Sequence, residues 1–113
     1  TSLSFYQLLG FVDQYQRPNF AYLDYRGAQL MIAQRDNDWE TGAMERPYGR
    51  GINLQFATDE LDALLARLHQ AGIALYQPRY EKWRDLGGTQ GGSAEFLVQD
   101  PDGYLLRFLQ TIG

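Results

Sequence analysis

Cysteine is absent from the 113 residues, so the chain has no disulfide framework and no thiolate for nucleophilic, redox or metal chemistry. Histidine occurs once, as His69 beside Leu68 near the end of an apolar-periodic stretch, where a helix-end cation explains it. A catalytic triad would have to use that one imidazole, and no Ser or Thr stands near it in sequence. There is no basic run and no interleaving of basic with aromatic residues, and ten basic against fourteen acidic residues give a net charge of −4. Nucleic acid is disfavoured as a partner, and a cationic ligand is weakly favoured. Apolar runs fall far short of the roughly 20 residues of a membrane span, and no signal peptide opens the chain. A cytoplasmic protein without membrane contact is expected.

What is present argues for a packed fold. Hydrophobic residues make up 44% and aromatic residues 14%, too many for a disordered chain, and the length suits one domain over residues 1–113. The sharpest local signal is Asp100-Pro101-Asp102-Gly103, with Asp opening a turn, Pro presetting φ and Gly available for a left-handed position. With Gly103 as a one-residue bulge after a type I turn, the run 93–99 pairs with the closing strand so that Phe96 and Val98 lie beside Phe108 and Leu106. The other face then carries Glu95, Leu97, Leu105, Arg107 and Leu109.

The rest of the chain reads in order. Residues 1–9 form a helix with Phe5, Leu8 and Leu9 on one face and Gly10 as its stop. Residues 11–15 suit a short strand, and 19–25 and 28–34 alternate around a tight Arg26-Gly27 hairpin. That register puts Ala21, Leu23, Leu30 and Ile32 on a core face and Phe20, Tyr22, Asp24, Gln29, Met31 and Ala33 opposite. Residues 35–50 read as a long polar loop carrying Trp39. Residues 51–57 alternate again, Ile52, Leu54 and Phe56 against Gly51, Asn53 and Gln55. Thr58 is expected to cap a helix whose stripe is Leu61, Leu64, Leu65 and Leu68 and whose stop is Gly72. Residues 73–76 read as a short strand, and 77–92 as a second long loop, with Tyr80, Lys82, Trp83 and Arg84 first and glycines after. Those glycines lack the Lys and Ser/Thr of a phosphate loop.

Helix, strand and hairpin thus occur twice in one order, in units of about 1–50 and 51–113. This pattern, the S-L-S-F-Y-Q-L-L-G-F opening and the D-P-D-G turn followed by L-L-R resemble the glyoxalase, bleomycin-resistance and extradiol-dioxygenase (vicinal oxygen chelate) superfamily. The resemblance implies an α+β fold of two βαβββ modules, and a first strand of roughly ten residues ahead of Thr1. It also implies a divalent metal in the enzymes of the family, yet the ligand positions correspond here to Met31, Gly51 and Arg107. A thioether, a missing side chain and a permanent cation do not make a metal site.

Without metal or other cofactor, the similarity points to the bleomycin resistance proteins, which bind an antibiotic unaltered in grooves of a homodimer. Leu86 stands where a tryptophan often precedes the glycines, and the Gly91-Gly92-Ser93-Ala94 spacing is longer, which leaves the ligand open. The expected groove is lined by Phe20, Tyr22, Met31, Asn53 and Gln55, by Leu97, Leu105, Arg107 and Leu109, and by Trp39, Tyr80 and Trp83 from the long loops. Small-molecule sequestration without catalysis is the leading expectation, and a metal-dependent lyase, isomerase or dioxygenase of the same fold is the alternative.

Overall fold

A computed structural model describes residues 1–34, 40–85 and 87–113. Trp39 and Leu86 lie outside the described residues. The elements are α1 (Ser2–Leu8), β1 (Val12–Arg17), β2 (Phe20–Tyr25), β3 (Ala28–Ala33), β4 (Leu54–Ala57), α2 (Leu61–Gln70), β5 (Gln77–Asp85), β6 (Gln90–Gln99) and β7 (Leu105–Thr111). They form the expected α+β arrangement of two sheets and two helices. The first sheet is antiparallel in the order β1-β2-β3, and the second runs β4-β7-β6-β5 with β4 parallel to β7. The second is a complete βαβββ unit; the first shows αβββ, and among the described residues no strand pairs with the outer edge of β3.

Local chemistry explains the hairpins. Arg26 and Gly27 sit at φ of 51° and 90°, the left-handed pair that a two-residue turn needs to match strand twist, and Tyr25 pairs with Ala28. At the other hairpin the Gly103 amide donates to Asp100 O at 2.9 Å, with Gly103 at φ 97°. Asp100 secures this turn: its Oδ1 accepts the amides of Asp102 and Tyr104, each at 2.9 Å, and its Oδ2 accepts the Tyr6 hydroxyl at 2.6 Å. Burial, then the Asp100 hydrogen bond and charge, pushes the Tyr6 phenol far above its ordinary range, so it stays a donor.

One core joins the sheets and helices. Leu23 and Tyr25 from the first sheet, Phe56, Phe96 and Phe108 from the second, Phe5, Tyr6 and Leu9 from α1 and the turn after it, and Leu61, Leu64 and Leu68 from α2 are all buried. The Phe11, Tyr25, Phe56 and Phe108 rings meet at centroid distances of 5.0 to 6.4 Å, mostly edge to face. Each such pair adds about 0.5–1.5 kcal/mol beyond its buried area. The molecule is long, 51 × 28 × 27 Å, with a radius of gyration of 15.7 Å against about 13 Å for a compact chain of this length.

Several expectations need correction. Residues 77–92 are not one loop: β5 and the start of β6, from Gln90, fall there, paired from Gln77↔Leu97 to Asp85↔Gln90. β5 has almost no buried residue, so it lacks the periodic apolar signal and is held by the ladder to β6. Residues 73–76 are not a strand, because regular pairing begins only at Gln77. Ile52 is 58% exposed and off the core face, since a turn closed by Ile52 N to Gly49 O delays β4 until Leu54. Thr58 is buried in the turn ahead of α2, where its hydroxyl accepts the Glu60 amide at 3.0 Å and bonds the Tyr25 hydroxyl at 2.7 Å. The Leu61 amide at the helix start donates instead to Gln110 Oε1 at 2.9 Å.

Within the described part of the polar loop, Tyr48 is an anchor. Tyr48 is buried, donates its amide to Asp102 O at 3.0 Å and packs edge to face on Tyr104. A Cβ on Gly49 would lie 2.6 Å from the Tyr104 ring, and one on Gly103 2.4 Å from Pro47, so these glycines permit the loop to lie on the turn.

Candidate functional site

Strand alternation divides the second sheet into two faces. Phe96 pairs with Phe108 and Val98 with Leu106 on the core side; Glu95 pairs with Leu109, Leu97 with Arg107 and Gln99 with Leu105 on the open side. The neighbouring strands extend both rows. Gln55 of β4 pairs with Arg107, while Tyr80 and Lys82 of β5 pair with Glu95 and Ser93. Cross-strand partners share a face, so Gln55, Arg107 and Leu97 form one row and Leu109, Glu95 and Tyr80 the next.

Glu95 is the centre of this face. Its side chain is 1% exposed. Oε1 accepts the Tyr80 hydroxyl at 2.9 Å and Oε2 the Ser93 hydroxyl at 2.9 Å, while Arg107 Nη1 stands 3.5 Å from Oε1. Burial by itself would raise the Glu95 pKa, but the two hydroxyl donors, then Arg107 and Lys82, outweigh it and hold the carboxyl below its ordinary range. Tyr80 shifts the other way, raised by burial and by its bond to Glu95. Arg107 is 28% exposed, and its buried Nε has no hydrogen-bond partner among the described residues. The sheet thus holds a charged carboxylate in a fixed hydrogen-bonded seat, with a guanidinium beside it whose Nε is unpaired among the described residues.

The structure brings together only part of the expected lining. Gln55, Tyr80, Leu97, Leu105, Arg107 and Leu109 share the open face of the second sheet. Phe20, Tyr22 and Met31 share the open face of the first, where Tyr22 pairs with Met31 and with Tyr15. Val12, Tyr15 and Met31 there are exposed, and the Arg17 guanidinium lies 4.3 Å over the Phe20 ring. Asn53 is exposed and precedes β4. Trp83 pairs with Gly92, three positions from Tyr80, and so lies on the opposite face of β5. Its ring covers Gly92 and Gly113, where an added Cβ would lie 2.5 and 2.7 Å away. Trp39 lies outside the described residues.

Ser93 and Lys82 are the polar members of this face that the sequence reading passed over. Ser93 follows from Glu95 by alternation within the run 93–99, whereas Lys82 required β5 to be a strand. Two cavities, of about 380 and 270 Å³, lie elsewhere, one between α1 and residues 99–101 and one within residues 43–50.

The residues at the positions that the resemblance assigns to a divalent metal do not suit one. The closing-strand position is a guanidinium, Met31 offers an exposed thioether, and Gly51 lies in a turn ahead of β4 at φ 89°. Among the described residues no group of three or more His, Asp and Glu side chains converges to hold an ion.

The model of the Glyoxalase/Bleomycin resistance protein/Dioxygenase superfamily matches residues 1–108. A superfamily member from Vibrio splendidus 12B01 is 32% identical, with 98% of this chain and 87% of that chain covered at a TM-score of 0.53. A virulence protein from Salmonella typhimurium shares the fold at 24% identity and a TM-score of 0.70, covering 99% and 86%. An integron cassette protein from V. cholerae does so at 21% and 0.68, covering 96% and 83%. No curated protein matches the chain.

Proposed function

The chain belongs to the glyoxalase/bleomycin resistance protein/dioxygenase superfamily, and we propose that it binds and sequesters a small molecule without a metal, in a groove of a homodimer. The observation that carries this is Arg107 on the open face, beside the Glu95 carboxylate and among Leu97, Leu105 and Leu109, at the strand position where metal-using relatives would need a ligand. Apolar walls around a few oriented polar groups suit an organic ligand. An aromatic, antibiotic-like molecule is the class proposed, and the net charge of −4 would draw cationic examples toward the protein.

The dimer is supported by the first sheet. Val12, Tyr15 and Met31 expose an apolar face that a second copy would bury, and Phe20 and Tyr22 beside them would add ring surface to the groove. Calorimetric titration with a panel of metal-free bleomycins, with sedimentation to follow assembly, tests the reading. Saturable heat from a dimeric species is expected. No heat and no thermal shift with any member removes that ligand assignment. A stoichiometric divalent ion in the purified protein would favour the lyase, isomerase or dioxygenase alternative.

A further inference from the structure

We propose that the open face of the second sheet anchors its ligand by a carboxylate, seated on Arg107 with Gln55 beside it, while an apolar ring body lies along Leu97, Leu105 and Leu109. This rests on the binding reading above for the groove and its aromatic ligand, and replaces that reading's cationic preference with an anionic head group.

Hydrogen-bond supply is the first argument. A guanidinium carries five N–H donors, yet among the described residues Arg107 makes one contact, the 3.5 Å ion pair to Glu95 Oε1, and its Nε has no partner. Glu95 does not close the gap: Tyr80 and Ser93 orient its two oxygens at 2.9 Å each, and its nearest approach to Arg107 is that 3.5 Å ion pair. The carboxylate beside Arg107 is oriented by its other neighbours, and an outside acceptor is the complement to the remaining donors.

Charge is the second argument. Glu95 is faced by two cations, Arg107 and Lys82, whose ammonium stands 5.6 Å from the Tyr80 ring on the same face. Arg84, paired with Gly91, adds a third toward the strand end. The acidic balance of the whole chain acts at long range and is screened beyond about 8–10 Å in physiological salt. Within the groove the local excess of positive charge decides, and a monoanion offsets it.

Geometry is the third. Gln55 pairs with Arg107 across parallel strands about 4.8 Å apart, so an amide and a guanidinium can direct donors at the two oxygens of one planar carboxylate. The leucines beside Arg107 leave an apolar track for the rest of the molecule.

Three probes sharing one ring separate head-group charge from ring burial: 2-naphthoate, 2-naphthamide and 2-naphthylmethylammonium, measured by equilibrium dialysis against the full chain. Naphthoate is expected to bind about tenfold or more tighter than the amide, with the ammonium weakest. R107M should bring naphthoate down to the amide, and K82Q, a change at an exposed side chain, should narrow the gap. Equal or tighter binding of the amide or ammonium by the wild type overturns the inference and leaves the groove reading in place. So does a naphthoate preference that survives R107M in folded protein. Failure of all three probes to bind the wild type removes the groove reading itself.

Discussion

On the three-stranded sheet the open face is largely apolar, with Met31 64% exposed beside Val12 and Tyr15 and with Arg17, Asp24 and Gln29 as its polar members; on the four-stranded sheet the matching face carries Glu95, Arg107, Tyr80 and Lys82. The core faces of the two are alike, Leu23 and Tyr25 in one and Phe96 and Phe108 in the other. The same secondary-structure pattern therefore serves two ends. Core faces must be apolar for either sheet to fold, whereas the open faces are free to differ, and there one became a surface suited to association and the other a seat for charge.

The largest expected effect breaks what the sheets share. Phe108→Ala removes a fully buried ring that touches Tyr25, Phe56 and Phe96, and should cost about 3–5 kcal/mol in a urea melt. A loss under about 1 kcal/mol would mean that the two sheets do not depend on one core.

An intermediate effect isolates the charged face. Glu95→Gln weakens charge-assisted bonds from Tyr80 and Ser93 and should cost about 1–2 kcal/mol at neutral pH. Because the folded Glu95 pKa lies below its ordinary value, its contribution is present above the unfolded carboxylate pKa, about 4.3, and is lost as pH falls through the folded value. The variant should therefore lose less stability than the wild type on acidification through that window, as read by thermal melts across pH. Parallel acid limbs would show that Glu95 is not held as a carboxylate.

The smallest effect on folding concerns the apolar face. Met31→Ser changes an exposed side chain and should alter the stability of an isolated chain by no more than about 0.5 kcal/mol. Sedimentation should nevertheless show weakened self-association. Unchanged assembly would separate that face from the dimer interface.

Much of this was legible in the residues. Period-two alternation assigned faces correctly in β2, β3, β6 and β7, because a hairpin register follows from its turn and both turns are written in Gly and Asp chemistry. The leucine stripe marked α2 for the same kind of local reason. β5 was not legible, since a strand exposed on both faces needs no apolar pattern. Its misreading as a loop also grouped Trp83 with Tyr80, although strand geometry sends them to opposite faces. Tyr48, buried on the Asp100 to Tyr104 turn, gave no periodic signal because its partner lies more than fifty residues away.

The sequence by itself determined the elements whose instructions are local: the turns, the α2 stripe and the side of the sheet on which Arg107 lies. Only the tertiary structure decided that Glu95 would be bonded by Tyr80 and Ser93 and that Arg107 Nε would have no partner among the described residues. The physical reason is range. A turn or a stripe is encoded by neighbours along the chain, whereas the partners of a buried carboxylate are set by which strands pair and in what register.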